Sequence, residues 1–354
     1  MENVVSSARK RSNHDKFAIL IGLFVLALVI SFMAGRYFIR LPDLLKIIAN
    51  RLFGYIGRLI GRPLGIPRTW PEAAEIVAIN IRLPRIAASA LIGAALSTAG
   101  VSYQGIFRNP MVSPDILGAS TGAGFGAALG IFLGFGYTGI ILLAFSFGLG
   151  AVFLTYTISR ASRLDGTLSM VLAGIMVSSL LQASTSFIKL VADTDNQLPA
   201  ITYWLMGSLN SMKGTDMLFV AVITAIGILP LVLLRWRINL LTLSEDEARS
   251  LGVDTVRLRL IVIICATLIT AASVSVSGMI GWVGLVIPHF CRLIFGYDYR
   301  RLIPAAVLLG STFLIVVDDL ARNITTGEIP LGILTSFVGA PVFVWLILRK
   351  EASA

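Results

Sequence analysis

Ten long apolar runs, separated by charged or turn-forming residues, restrict the fold of this chain more than any other feature of its sequence. A bilayer core about 30 Å thick is crossed by an α-helix of about 20 apolar residues, and most of the runs approach that length. The sequence therefore predicts an all-α integral membrane protein with about ten transmembrane helices. The runs cover residues 17–35, 86–103, 116–135, 139–158, 168–188, 217–234, 260–277, 279–291, 302–317 and 331–348.

The eighth run is shorter than the others and contains Gly281, Gly284 and Pro288. Helix-breaking residues are tolerated within a membrane only where neighbouring helices cover the freed backbone groups. We therefore expect this span to be broken or tilted inside the bundle.

Composition supports a membrane protein and argues against a nucleic-acid-binding one. Hydrophobic residues make up 56% of the chain and charged residues 14%, whereas ordinary soluble domains are about a quarter charged. The net charge is +10, but the cations are spread between the apolar runs, where they orient spans and contact anionic lipid or an acidic partner. No linker divides the chain, so one membrane domain is predicted at 17–350, behind a basic cytoplasmic tail at 1–16.

The distribution of Lys and Arg predicts that both termini lie in the cytoplasm. In that orientation 17 cations fall inside and 12 outside, nine of them in the external segment 36–85. Cations in long external segments have less influence on topology, so this segment does not reverse the prediction. The first run follows a basic N-terminus, as in a signal peptide, but nine further spans favour a retained helix.

An amphipathic helix is predicted inside the basic external stretch. Residues 41–61 place apolar side chains three and four positions apart, with cations between them. Such a helix can lie on the membrane surface with its basic residues near lipid headgroups. It can equally be an ordinary connecting helix packed on the bundle, and the sequence favours neither alternative.

Small residues recur in the second and third runs at a spacing typical of close helix packing. The sequences GAALSTAG at 93–100 and GASTGAGFGAALG at 118–130 place Gly, Ala and Ser four positions apart. Neither is a phosphate-binding loop, because the chain has no Gly-Lys-Ser/Thr sequence. ATP binding by a P-loop is therefore excluded for this chain.

Few residues are suited to catalysis or metal binding. The chain has two histidines, His14 and His289, and its sequence offers no further ligands or catalytic residues from which a metal site or a His-activated nucleophile could be assembled around them. Cys265 and Cys291 lie in or beside apolar runs and are predicted to be buried small side chains.

Ion-coupled transport would need ionisable residues in the middle of the membrane. Lys189, Asp193, Asp318 and Asp319 all fall near predicted span ends, where long side chains can reach water. The sequence therefore argues against a proton or sodium relay.

The polar stretch at 241–259, between the sixth and seventh runs, is the most informative loop. Ser244 and Glu247 form a capping box, Gly252 supplies a left-handed stop, and Asp254 can cap the following helix. A short helix, a glycine turn and a second helix are therefore predicted on the cytoplasmic side. Such a unit suits docking of a cytoplasmic partner, although an ordinary solvated loop helix is the alternative.

Five blocks of sequence together resemble one family of permeases. The family is that of the iron-chelate and vitamin B12 permeases of binding-protein-dependent ABC importers, the FecCD type. The blocks resemble it as a set and follow one another along the chain in the order expected for it. The resemblance covers most of the chain from about residue 17, and the extended N-terminal tail and the basic stretch 40–75 depart from it. The blocks are NIRLPRIAASALIGAALSTAGVSYQGIFRNPMVSPDILGASTGAG at 80–124, LPAITYWLMGSL at 198–209, SEDEARSLGV at 244–253, SGMIGWVGLVIPHFCRL at 277–293 and EIPLGILTSFVGAPVFVWLIL at 328–348.

The resemblance implies a multi-pass homodimer in the prokaryotic inner membrane. Two cytoplasmic ATPase subunits would bind the ATP, so the permease itself would carry neither catalytic residues nor a cofactor. A soluble binding protein would deliver the cargo, which is expected to be a metal chelate, with a ferric siderophore favoured. Haem, cobalamin and molybdate are alternative cargoes within the family, and an ion-coupled secondary transporter is the alternative class.

The resemblance also implies roles for arginines at the outer ends of spans. Arg82, Arg85 and Arg322 would bind acidic residues of the binding protein, since an arginine fork suits a carboxylate. The alternatives are lipid headgroup contact for Arg82 and Arg85, and a bridge to Asp318, one turn earlier, for Arg322.

At the cytoplasmic end, the resemblance assigns Thr167 and Ser169 to a gate. It assigns ATPase coupling to the short helices between the sixth and seventh spans. The coupling residues so implied are Ser244, Glu245, Asp246, Glu247, Ala248, Arg249, Leu251, Gly252 and Asp254.

Overall fold

The computed structural model describes residues 2–61, 66–163, 166–243, 245–325 and 327–351. Within these ranges the chain is helical and has no β-strand, which confirms the predicted all-α class. The helices are α1 (Glu2–Met33), α2 (Leu41–Ile60), α3 (Glu72–Ile76), α4 (Leu83–Ile106), α5 (Ala119–Phe132), α6 (Tyr137–Ala161), α7 (Gly166–Val191), α8 (Gln197–Met206), α9 (Gly214–Leu233), α10 (Arg235–Leu240), α11 (Glu245–Ser250), α12 (Thr255–Ser277), α13 (Val283–Phe295), α14 (Tyr299–Asn323) and α15 (Leu331–Glu351).

Each of the ten predicted spans corresponds to an apolar helix. Three shorter apolar helices, α5, α13 and most of α15, coincide with the third, eighth and tenth runs. Among the described residues seven segments are long and apolar enough to cross a membrane: Asn13–Met33, Glu72–Ile106, Tyr137–Ala161, Gly166–Val191, Gly214–Leu233, Thr255–Ser277 and Tyr299–Asn323.

Contacts between helix ends define two sides of the bundle. On one side Lys16 Nζ, in α1, donates to the carbonyl of Ile294, near the end of α13. This side also holds α10 and α11, and we call it the α11 side. On the opposite side Ser31, near the end of α1, donates a hydrogen bond of 2.7 Å to Asp319 in α14. This side holds α2 and α8, and we call it the α2 side.

The core forms where small residues let helices approach closely. A Cβ added at Gly100 of α4 would overlap the carbonyl oxygen of Gly284 in α13, and one added at Gly93 would overlap that of Gly310 in α14. The hydroxyl of Ser97, between them, donates to the carbonyl of Ala306 at 2.6 Å. The close packing predicted for 93–100 is therefore confirmed, and it makes α4 one of the most buried helices in the bundle.

The second span begins well before the position that hydropathy indicated. The helix runs from Glu72 to Ile106, whereas the sequence predicted a start near 86, and its Val77–Arg82 segment is a π-helix. The extra turns form because Trp70, Ala74 and Ala78 pack against α2. As a result Arg82 and Arg85 lie inside a continuous helix rather than at its outer start.

The eighth run is interrupted only at its start, and the helix continues through Gly284 and Pro288. Gly278 and Trp282 both have positive φ, 68° and 69°, so the backbone from 278 to 282 is not helical. Helix α13 begins only at Val283 and contains Pro288. Positive φ is strained for a tryptophan, and such outliers persist only where the surrounding structure holds them.

Candidate functional site

A cluster of buried arginines and carboxylates lies on the α2 side. Arg85, in α4, contacts Asp318 of α14 through Nη2 at 2.8 Å and Nε at 3.0 Å, and its Nη1 contacts Glu328 Oε1 at 2.8 Å. The side chain of Arg85 is 8% exposed and that of Asp318 is 1% exposed. Charges this deeply buried must be paired to be tolerated, and here they are.

Arg322 and Arg82 extend the same cluster. Arg322 bridges to Asp318 at 3.4 Å, which is the internal bridge considered as its alternative role, and also contacts Asp319. Arg82 donates to the backbone carbonyls of Phe32 and Tyr37, near the end of α1. The three arginines therefore tie together α1, α4, α14 and the segment before α15.

The three arginines also line a cleft of about 460 Å³ that opens on the α2 side. Glu328 lines it too, and its second oxygen, Oε2, has no hydrogen-bond partner among the described residues. Asn80, Asn210 and Asn323 contribute amides to the same lining. The cleft thus presents donors and cations, with one carboxylate already in place.

A second, larger cleft of about 590 Å³ has a different chemistry. Its lining residues are supplied by α8, the irregular segment before α13, and α15. They are Leu205, Met206, Met279, Gly281, Gly332, Ile333, Ser336 and Phe337. Backbone hydrogen bonds fix these elements together, because Leu331 N donates to Gly207 O and Ser208 N donates to Ser277 O, both at 2.8 Å.

On the α11 side, the predicted turn between two helices is present. Gly252 has φ +75°, as expected for a left-handed stop after α11. Asp254 Oδ1 accepts from the backbone N–H of Arg257 at 3.0 Å and so caps α12, which confirms the predicted cap. Ala248 is buried, whereas Leu251 is 60% exposed.

The structure describes the remaining predicted coupling residues only in part. Ser244 lies outside the described residues, so the capping box it would form with Glu247 stays a prediction. The backbones of Glu245, Asp246 and Arg249 belong to α11.

Sequence reasoning missed Asn239, which joins α10 to the start of α14. Its Nδ2 donates to Asp298 at 3.0 Å, and its Oδ1 accepts from the backbone N–H of Tyr299 at 2.9 Å. Partial burial opposes ionisation of Asp298, but hydrogen bonds from Arg300 and Asn239 outweigh it and lower the pKa of this carboxyl. An isolated Asn after an apolar run carries no sequence signal for such a role.

Arg292 was also overlooked because it follows an apolar run like any span-end cation. It is 8% exposed and donates to the side chain of Gln104, which in turn donates to the carbonyl of Val112 at 3.0 Å. Arg108 contacts the carbonyl of Leu241 at 3.0 Å. These bonds link the ends of α4, α10 and α13 close to α11.

The two predicted gate residues lie in the first turn of α7 and differ in environment. Ser169 is buried, and its hydroxyl donates to the carbonyl of Ser159 in α6 at 3.1 Å. Thr167 is half-buried, and Leu168 beside it is 52% exposed. In this conformation Ser169 packs inside the subunit, and its role in gating stays a prediction.

Other polar residues and the cysteines have ordinary structural roles. Asp115 lies in a 3₁₀ turn and accepts from the hydroxyl of Ser120, while Gly118 is the N-cap of α5. Cys265 and Cys291 are buried free thiols, as predicted. Within the described ranges no group of three His, Cys, Asp or Glu residues could hold a metal ion.

Comparison with known proteins decides the class of this bundle. The sequence matches the FecCD transport family over residues 23–349. The chain belongs to this family. It is 37% identical over 329 residues to the molybdate import system permease protein MolB of Haemophilus influenzae, covering 93% of this chain and 94% of that one. It is 42% identical over 282 residues to a probable iron chelatin transport system permease protein of Helicobacter pylori, covering 79% and 85% of the two chains.

Solved structures agree with this assignment. A metal-chelate type ABC transporter in an inward-facing conformation has a TM-score of 0.82 and 37% sequence identity, covering 94% of this chain and 99% of that one. This FecCD protein is therefore a multi-pass membrane permease component of an ABC importer. It is not an enzyme, because in this family ATP is hydrolysed by a separate subunit, and it is not an ion-coupled carrier.

Proposed function

We propose that two copies of this chain form the translocation unit of an importer for a metal chelate, with a ferric siderophore as the favoured cargo. The observation that carries this proposal is the apolar cleft of about 590 Å³ between α8 and α15. Two copies related by a twofold axis would bring two such clefts together into one pathway. The cargo would cross between them when ATP binding in the partner subunits reorients the helices.

The chemistry of the cleft favours a cargo with an organic shell. Met206, Met279 and Phe337 line it, and Ser336 contributes the one polar side chain of the lining. A free oxyanion in such a site would lack the cations and N–H donors that oxyanions need. A chelate presents carbon-rich ligand atoms, which pack against thioether and aromatic groups. Haem and cobalamin share this property, and molybdate, the cargo in the name of the Haemophilus relative, is the discriminating alternative.

Exposed apolar residues on α7 and α15 support the homodimer. Leu172, Ile175 and Met176 of α7 are 42–58% exposed, and Phe337 and Val338 of α15 are 73% and 38% exposed. Phe337 also lines the apolar cleft, so a partner seated on this surface would lie beside the pathway. The same placement would bring Thr167 and its neighbours in α7 near the dimer axis, as the proposed gate requires.

The α2 side is proposed to be the outer side, where the binding protein docks. Arg82, Arg85 and Arg322 would act through the cleft that they line, rather than as free surface cations. Glu328 supports this idea, because it supplies to Arg85 the kind of carboxylate that a binding protein would offer. On docking, an acidic side chain of the binding protein would replace Glu328 as the partner of Arg85.

The α11 side is proposed to contact the ATPase. Within the described residues, α11 is followed by an exposed Leu251 and a left-handed Gly252, which lead into the α12 cap. Just before α11 in the chain, Asn239 of α10 bonds to Asp298 at the start of α14, and Arg108 bonds to the carbonyl of Leu241. Movement of α11 would be passed to the bundle through α12, which packs on α11 and begins at the Asp254 cap that follows it.

Reconstituted transport tests the proposal. The permease is inserted into proteoliposomes with its cognate ATPase and binding protein, and uptake of a ferric hydroxamate is compared with uptake of molybdate. We expect ATP-dependent uptake of the ferric chelate, lowered by Phe337→Asp, which places a charge in the apolar cleft. Leu218→Asp, at a 60% exposed position of α9 outside the cleft, is the matched control. Uptake of molybdate without uptake of any chelate would refute the proposed cargo.

A further inference from the structure

Helix α2 has two apolar faces, and only one of them is covered by this chain. Leu44 and Ile47 are 2% exposed and pack with Trp70, Ala74 and Ala78. This contact fixes α2 to the start of the second span. It also confirms the amphipathic helix predicted at 41–61, which the structure places at Leu41–Ile60.

The second apolar face is a continuous exposed stripe. It consists of Leu41, Leu45, Ile48, Leu52 and Ile56, at steps of three or four residues along one side of the helix. These residues are 38–58% exposed. Large apolar side chains repeated in this way on one helix face indicate a surface that another apolar phase covers.

The depth of α2 follows from its contacts with α1. The cluster that contains Leu44 and Ile47 also includes Phe32 and Met33, the last two residues of α1. The end of a transmembrane helix marks the boundary between hydrocarbon and headgroups. Helix α2 therefore lies at that boundary, and with four charged residues it is not among the helices apolar enough to cross the membrane.

The lateral position of α2 is the periphery of the bundle. Only 17% of the apolar stretch of α1 is buried, and residues such as Leu26 and Ile30 are about half exposed. Helix α2 packs against the end of this exposed helix, at Phe32 and Met33. The surface next to α1 is covered by lipid, so lipid is the occupant that fits the stripe.

Charges and aromatic residues flank the stripe. With 3.6 residues per turn, Lys46 and Arg58 fall on opposite flanks, and both side chains are exposed. Tyr55 is 61% exposed and Phe53 is 45% exposed. Long basic side chains beside an apolar face reach up to headgroup phosphates, and aromatic rings prefer the interface.

From these observations we propose that α2 is an interfacial anchor that binds anionic phospholipid at the membrane boundary. Its apolar stripe would enter the acyl layer, while Lys46 and Arg58 would contact the headgroup phosphates. The inference does not depend on the cargo or on the partner subunits. A second copy of this chain, or a binding protein, is the competing occupant that the experiment must separate from lipid.

The access of oxygen and of a nickel chelate to a spin label on the stripe shows whether the stripe faces lipid, water or protein. Leu52→Cys is labelled in a background of Cys265→Ala and Cys291→Ala, and the dimeric protein is placed in nanodiscs with and without the binding protein. Labels at Leu26→Cys on α1 and at Asp195→Cys, in the exposed turn before α8, are the lipid and water references. We expect position 52 to favour oxygen over a nickel chelate, as position 26 does. Nickel access equal to that at 195, or protection from both reagents, would overturn the proposal in favour of water or protein.

Lipid specificity is tested with a fluorophore at the same cysteine. Brominated phosphatidylglycerol is expected to quench it at a lower mole fraction than brominated phosphatidylcholine. Removing both flanking charges, with Lys46→Gln and Arg58→Gln, should reduce that preference, by up to about fivefold for each charge near the surface. Lys189→Gln, at the end of α7, is the control and should leave the preference unchanged. Equal quenching by the two lipids in the unaltered protein would overturn the anionic lipid site.

Discussion

Removing Arg85 should destabilise this permease more than removing an exposed arginine. The substitution Arg85→Met keeps most of the side-chain volume but leaves the 1% exposed Asp318 without its closest cation. Loss of one partner from a buried ion pair costs about 3–5 kcal/mol. Arg322 still lies 3.4 Å from Asp318, so we expect the lower end, about 3 kcal/mol.

Charge balance in the cluster makes a double variant informative. Among the described residues the cluster contains three arginines, Arg82, Arg85 and Arg322, and three carboxylates, Asp318, Asp319 and Glu328. Asp318→Asn alone should cost about as much as Arg85→Met, because each leaves the buried cluster with one charge in excess. The double variant, Arg85→Met with Asp318→Asn, removes one charge of each sign. Its free energy of unfolding should fall by only about 1 kcal/mol, since a buried pair can be replaced by neutral groups at little cost.

Thermal unfolding measures these differences directly. A dye that fluoresces on reaction with thiols reports unfolding, because Cys265 and Cys291 are buried in the folded protein. With about 2 °C per kcal/mol for a long chain, Arg85→Met should lower Tm by about 6 °C. Arg257→Gln, in an exposed pair with Asp254, is the control and should cost less than about 0.5 kcal/mol. The reasoning fails if Arg85→Met unfolds within about 1 °C of the parent, or if the double variant loses as much as both singles together.

The other predictions concern partners, packing and pH. Glu328→Gln should strengthen docking of the binding protein and increase its salt sensitivity, as measured by surface plasmon resonance, because it removes the carboxylate that now pairs with Arg85 Nη1; weaker docking would contradict the exchange. Gly252→Val should abolish substrate-stimulated ATP turnover but leave insertion and dimerisation intact, whereas normal turnover would argue against the coupling unit. Gly100→Val should unfold the bundle at a much lower temperature than Gly150→Val, because a Cβ at Gly100 overlaps Gly284 while Gly150 faces open space. Hydrogen bonds from Asn196 and from nearby backbone amides lower the pKa of Asp193, so its turn is stabilised above the ordinary aspartate pKa. Protection of the amides in this turn, measured relative to their intrinsic exchange rates, should fall only as the pH falls through the lowered value.

The cluster also changes how docking should be tested. Charge reversal at Arg82 and Arg85 would disrupt the backbone contacts of Arg82 and the buried ion pairs of Arg85, so a loss of docking in such a variant could follow from misfolding alone. Glu328 is a better position, because it is 21% exposed and Gln preserves its shape. The outcome then reports on the cleft rather than on the stability of the bundle.

The sequence by itself determined the class and order of the elements. Apolar length depends on neighbouring residues only, so the ten runs located ten helices, and the turn chemistry of Gly252 and Asp254 located a short helix before α12. The small residues at 93–100 predicted close helix packing, although they did not identify α13 and α14 as the neighbouring helices. Local patterns of this kind carry the information because hydrogen bonding within a helix is itself local.

Only the tertiary structure decided what the polar residues do. Arg85 and Asp318 are 233 residues apart in sequence, and nothing local to either reveals that they pair. The early start of the second span likewise depends on burial of Trp70 and Ala74 against α2, which hydropathy along the chain does not register. A buried charge is tolerated only beside its partner, and the partner is chosen by the packing of helices that are distant in sequence. The roles of the arginines therefore depend on the fold.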